Sequence, residues 1–191
     1  AFRGMTLLDY AINASLVLSY VAMRKDDKAG LVTFNEHFDT FVPASKQVGQ
    51  MQTLLENLYK QETTFGETDF SALCVHLGKH VNKRSFLMLY TNFSNMTSLN
   101  RQLVYLQQLA RQHRVLVVFF EDADLKEYIA GKPETTEGYY QHVIAEKFAF
   151  EKRLIVSTLK QHGIYSLLTT PDKLSIDVIN KYLEMKSRQL L

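Results

Sequence analysis

Thr91-Asn92 closes an apolar stretch, Leu87-Met88-Leu89-Tyr90, that reads as a buried strand delivering two small polar side chains to its carboxyl end. In an open α/β sheet that edge is where ligands bind. A carboxylate after the Thr would suit Mg²⁺, a hard cation usually held through one or two carboxylates. Asn92 supplies a carbonyl oxygen instead, without charge. Thr68-Asp69 opens a helical segment, where a hydroxyl or carboxylate caps free N–H groups and negative charge suits the helix dipole. The same two residues are candidates for a partner contact. Glu121-Asp122-Ala123-Asp124 follows a second apolar run and could hold a cation, as in a phosphate-handling enzyme, or simply start a solvated helix. His76 and His80 have the spacing of the zinc-protease helix, but Leu77-Gly78-Lys79 between them lacks the Glu that follows the first His, and no third ligand is evident. His113 and His162 end helices and read as partners of the dipole there. No Gly-x-Ser-x-Gly elbow, phosphate-cradling glycine loop or Cys-x-x-Cys is present, so the common nucleophile and nucleotide signatures are missing.

The elements that must carry these residues follow from periodicity. Leu7, Leu8, Ala11, Ile12, Ser15, Leu16 and Ser19 recur at helical spacing behind a capping Thr6, predicting a helix to Arg24. Gly30 to Phe34 and Phe38 to Val42 predict a hairpin around Asn35-Glu36-His37, with Pro43 ending its second strand. Helices are expected over 46–59 and 69–81, with a polar loop over 61–68 between them. Strand and helix then alternate: 85–91, 98–113, 115–120, 125–130, 137–161, 164–168 and 171–188. The unbroken run Val115 to Phe120 means a strand covered on both faces. The fold class is therefore α/β, a doubly wound and mainly parallel sheet between two helix layers, with one antiparallel edge strand at 38–42.

Composition sets outer bounds. The 191 residues fit one domain, 1–191, and 46% hydrophobic with 22% charged residues is ordinary for a soluble globular protein. A net charge of +2, with basic residues scattered among acids, argues against nucleic acid as a partner. Lys79, Lys83 and Arg84 form the densest basic group and read as a solvated helix end. Cys74 is the only cysteine, which excludes an internal disulfide and fits a reducing compartment. No apolar run approaches the roughly 18 residues of a membrane span, so no membrane contact by this chain is expected. The opening Ala1-Phe2-Arg3-Gly4 has neither an initiator Met nor a signal-peptide pattern and suggests a fragment of a longer protein.

Several segments taken in order resemble the bacterial "domain of unknown function 58" family, whose carboxyl half is similar to a von Willebrand factor type A domain. They are Leu8-Asp9-Tyr10-Ala11, Asp27-Lys28-Ala29-Gly30-Leu31-Val32-Thr33-Phe34, Thr68-Asp69-Phe70, Arg84-Ser85-Phe86 leading to Thr91-Asn92, Arg111-Gln112-His113, and Asn180-Lys181-Tyr182-Leu183-Glu184-Met185-Lys186. Each is short, and together they span nearly the whole chain.

The resemblance implies a metal-ion-dependent adhesion site of three parts: an Asp-x-Ser-x-Ser run, a Thr and an Asp. The Thr falls on Thr68 and the Asp position on Asn92, while the first part has no counterpart. The metal ligands Thr68 and Asn92 are thus expected to be vestigial, with no cofactor and at most weak Mg²⁺ binding. The resemblance also implies a central first strand missing from this chain, supplied by residues upstream of Ala1. Function follows as an expectation: a non-catalytic protein-interaction module, an adaptor or chaperone-like partner of a MoxR-type AAA+ ATPase, such ATPases often being encoded beside family members. The expected contact surface is Asn35, Thr68, Asp69, Asn92 and Glu121, and the expected location is the cytoplasmic side of a membrane-anchored protein. The alternatives are a metal-dependent hydrolase using Asp69, Asp122 and Asp124, and a purely structural domain.

Overall fold

A computed structural model describes residues 4–35, 38–61, 68–93, 95–121, 123–131, 133 and 135–191. The chain divides into two compact units, Ala1–Arg84 with Pro171–Leu191, and Ser85–Thr170.

The first unit opens with α1, Leu7–Arg24, started by a reciprocal cap: the Thr6 hydroxyl accepts the Asp9 N–H while the Asp9 carboxylate accepts the Thr6 N–H. Two donors that the helix geometry leaves over are thereby satisfied. Strands β1, Ala29–Phe34, and β2, Phe38–Ser45, pair antiparallel. Their register pairs Leu31 with Val42 but Ala29 with Ser45, so Gly30 faces two residues, Pro43 and Ala44. Pro43 therefore does not end the strand as expected. It sits in a bulge, where its missing N–H removes no ladder bond. Gly30 is needed opposite it, because a Cβ there would lie 2.7 Å from the Ala44 nitrogen and the Val42 oxygen.

Helix α2 spans Gln50–Leu58, later than the periodicity predicts, because Gly49 takes a left-handed φ of 90° that no right-handed helix passes through. The Gln50 amide then donates to the carbonyls of Ala29, at 2.7 Å, and Pro43, fastening the helix start to the hairpin. Ala29, Val42 and Leu54 are buried together, with Leu16, Met23, Leu31 and Met51 packed against them. Helix α3, Phe70–His80, lies against β2.

In the second unit β3, Phe86–Tyr90, β4, Arg114–Phe120, and β5, Tyr165–Thr169, form a parallel sheet in the order β3-β4-β5. Every residue of β4 from Val115 to Phe120 is buried, as a strand covered on both faces must be. Helix α4, Met96–Gln112, packs on β4; α5, Ala123–Ala130, and α6, Thr136–Gln161, pack on each other; α6 also covers β5. The chain then returns to the first unit through a 3₁₀ turn, Pro171–Lys173, and α7, Leu174–Ser187, which packs on α1. The architecture is mixed α/β, with one three-stranded parallel sheet and one two-stranded antiparallel sheet. Among the described residues no strand pairs with both, as a chain lacking the strand expected between 30–34 and 85–91 requires.

Candidate functional site

Asn35, Thr68 and Asp69 are brought together in the first unit. Asn35 follows β1, and its carbonyl accepts the Asp69 N–H at 2.8 Å. Asp69 is the N-cap of α3, its Oδ1 accepting the Ala72 N–H at 3.0 Å. Just behind this junction the rings of Phe34 and Phe70 meet edge to face, with centroids 5.4 Å apart. An apolar contact at the strand end and a polar cap at the helix start thus hold one loop against the other. Glu36, His37 and residues 62–67, which belonged to the expected turn and loop, lie outside the described residues.

Asn92 and Glu121 follow neighbouring parallel strands of the second unit. The Thr91 N–H donates to the Val118 carbonyl and the Glu121 N–H to the Thr169 carbonyl, so the strand tips are pinned one residue beyond the ladder. Asp122 lies outside the described residues, and Asp124 falls within α5.

Sequence reasoning missed the residue that meets Asn92. Lys152 on α6 donates from Nζ to Asn92 Oδ1 at 2.8 Å and to the Phe93 carbonyl at 2.7 Å, with Nζ 5.5 Å from the centroid of the Phe119 ring. Burial holds the pKa of this amine below the usual lysine value. The signal was present, because Lys152 interrupts the buried stripe Ala145, Ile155 and Leu159 at helical spacing. A lysine on that stripe must find partners for its ammonium.

Lys152 also bears on whether Asn92 could take a divalent cation. Its amide oxygen already faces an ammonium, whose charge opposes a second cation at the same place. Asn92 does not fit Mg²⁺. Among the described residues no cluster of three or more His, Cys, Asp or Glu could hold a metal ion.

The histidines divide differently from expectation. His76 and His80 stack with ring centroids 4.2 Å apart, and Phe41 lies edge-on to His76 at 5.0 Å. Burial, followed by the charges of His80 and Lys79, holds the pKa of His76 down. His113 is not a cationic partner of the α4 dipole: it is 2% exposed, and its Nδ1 accepts the Ser85 N–H at 3.3 Å, which requires that nitrogen to be unprotonated. Burial pushes its pKa down accordingly. His162 does serve a helix end, with Nδ1 2.8 Å from the Thr158 carbonyl. Cys74 is buried and its thiol is pushed up to about 11 by burial, the state of an inert structural thiol.

Two further features were not read from sequence. In the first unit Asp27 Oδ2 accepts both the Tyr182 hydroxyl, at 2.5 Å, and Lys186 Nζ, at 2.6 Å, joining the α1–β1 connection to α7. All three residues belong to the segments that carry the family resemblance, so those segments meet in space. In the second unit α6 exposes Tyr139, Tyr140, Val143, Ile144, Phe148 and Phe150. Ile144 and Phe148 line an open apolar groove of about 320 Å³ with Leu125, Tyr128 and Ala145.

A family model described as "Protein of unknown function DUF58" matches residues 5–130. No curated protein and no solved structure matches the chain at a significant level.

Proposed function

Starting from the chain's membership of the DUF58 family, we propose that it is a non-catalytic protein-interaction module, an adaptor or chaperone-like partner of a MoxR-type AAA+ ATPase. The single observation that carries this reading is the state of the β3 tip. Where a cation-binding carboxylate would stand there is an amide, already hydrogen-bonded to Lys152. The exposed apolar side chains of α6 and the groove at Ile144 and Phe148 support the same reading, since clustered apolar surface marks interaction sites. The finer fold assignment, von Willebrand factor type A-like with its central first strand missing from this chain, belongs to this proposal, as does a cytoplasmic position on a membrane-anchored protein. No described helix is long and apolar enough to cross a membrane.

The residues assigned to partner contact are Asn35, Thr68 and Asp69 on the first unit and, taken separately, Asn92 and Glu121 on the second. Their test is capture of the purified ATPase by the immobilised chain, compared with Glu121→Lys and with Asp69→Asn, which keeps an N-cap acceptor while removing the charge. Loss of capture in both variants is expected. An association that neither variant weakens places the contact elsewhere, and no association at all leaves the purely structural reading.

The hydrolase alternative would use Asp69, Asp122 and Asp124 with a bound metal. Against it stands the Asp69 carboxylate, occupied in capping Ala72. Thermal melting with and without Mg²⁺ or Mn²⁺ decides between them, because a metal bound only by the folded state raises the midpoint. An unchanged midpoint in either metal would sink the hydrolase, while a raised one would revive the metal site.

A further inference from the structure

Among the described residues the Lys152 ammonium, at the carboxyl edge of the parallel sheet, touches only neutral groups. Its three N–H donors meet two acceptors, the Asn92 side-chain oxygen and the Phe93 carbonyl, and its flank faces the Phe119 ring. Among the described residues no carboxylate pairs with it. Charges withdrawn from water are ordinarily paired, and among the described residues this half-buried ammonium has one donor beyond its two acceptors and no counter-charge. The spot is also open, because Asn92 is exposed.

We propose that Lys152 is a built-in cation that receives a carboxylate at the tip of β3, donating its third N–H to the incoming oxygen beside Asn92. One charged donor at an otherwise neutral, partly apolar tip fits a carboxylate oxygen. A phosphate would call for several converging donors, such as arginine forks or runs of backbone N–H groups, and Lys152 is the only charged side chain in this contact set. The carboxylate is either a small free acid or an acidic side chain of another protein, and the chemistry at Lys152 is the same for both. The site does not depend on the identity of the partner proposed above and is tested without one.

The test observes the lysine side chains of the intact chain by NMR, with the Lys152 Cε resonance assigned through Lys152→Arg. Sodium acetate is titrated at constant ionic strength against sodium chloride. Lys152 is expected to shift saturably with acetate, while the exposed Lys79 and Lys83 move only as they do in chloride. A capped peptide containing one Asp, and the same peptide with Asn, distinguish the sources. Tighter saturation by the Asp peptide than by acetate assigns the ligand to a protein side chain; response to acetate with none to the peptide assigns it to a small acid. An unresponsive Lys152, or a response equal to that in chloride, overturns the proposal. Because the readout is taken on the unaltered chain, the result stands even if Lys152→Met fails to fold. Where that variant folds, its remaining lysines should show no acetate response beyond chloride.

Discussion

Replacing Tyr182 by Phe removes one oxygen and leaves a ring that is 3% exposed in place, which isolates a single hydrogen bond. The hydroxyl donates to Asp27 Oδ2, the oxygen that also accepts Lys186 Nζ. A hydrogen bond to a charged group contributes about 1.5–3 kcal/mol. The Asp27 side chain is 41% exposed, however, so water reaches the vacated lone pair and screens its charge. The expected loss is therefore about 1–1.5 kcal/mol. Unfolding entropy of about 2.1 cal/mol/K per residue gives about 0.4 kcal/mol/K for 191 residues, so Tm should fall by about 3 °C. Lys186→Met should cost less, about 0.5–1 kcal/mol, because that pair is half-exposed. The double variant should fall short of the sum, since both donors share one oxygen.

Urea unfolding of the four proteins, followed by circular dichroism, measures the cycle. The pH dependence has a definite sign. Burial raises the Asp27 carboxyl, but the hydrogen bonds from Lys186 and Tyr182 outweigh it and hold its pKa below the ordinary 3.8. The contribution is thus fully present above that value and disappears as pH falls through the lowered native one. For Lys186 the hydrogen bond to Asp27 is the main cause of a raised pKa, so its share persists below the ordinary 10.5 and disappears as pH rises through the raised value. A Tyr182→Phe protein as stable as the parent at pH 7, with strictly additive single variants, would refute the view that this cluster fastens α7 to the start of the hairpin.

Four further outcomes are expected. Asp69→Ala should cost about 1 kcal/mol in urea unfolding through loss of the α3 cap, and Asp69→Asn only a small fraction of that. Gly30→Ala forces the hairpin strands apart at the bulge and should cost about 1–3 kcal/mol, read as a lowered urea midpoint with unchanged m. His113 is held neutral in the fold, so its contribution is complete above the ordinary 6.5 and is lost as pH falls below it; His113→Gln should flatten the decline in Tm between about pH 6.5 and 5. The Cys74 thiol should resist a thiol-specific chromogenic reagent at pH 8 in the native protein and react at once in urea, since it is buried and its pKa lies near 11.

The helices were legible wherever their signals are local. Thr6 with Asp9, and Asp69 with Ala72, are contacts three residues apart, and the cap forms whatever the rest of the chain does. The same holds for the apolar run of β4, whose length and lack of alternation announce two covered faces. Errors arose where a local rule met a distant partner. Pro43 reads as a strand terminator in isolation, and only the pairing of Ala29 with Ser45 makes room for it inside the strand. His113 reads as a dipole partner until Ser85 is seen to donate to its ring.

The candidate site divides along the same line. Thr68, Asp69, Asn92 and Glu121 stand at element ends, positions that hydrophobic periodicity locates from sequence alone. What each of them touches is a matter of topology. Asn92 carries no sign in sequence that a lysine sixty residues later will take its oxygen, nor does Asp27 point to Tyr182, 155 residues away. Sequence by itself determined the order of helices and strands, the family and the polar character of the strand tips, because those depend on neighbours within one or two turns. The tertiary structure alone decided that the β3 tip already holds an ammonium, how the described strands pair, and which apolar side chains of α6 are exposed. Those depend on which distant groups are brought within hydrogen-bonding or packing distance, and no short-range pattern encodes that distance.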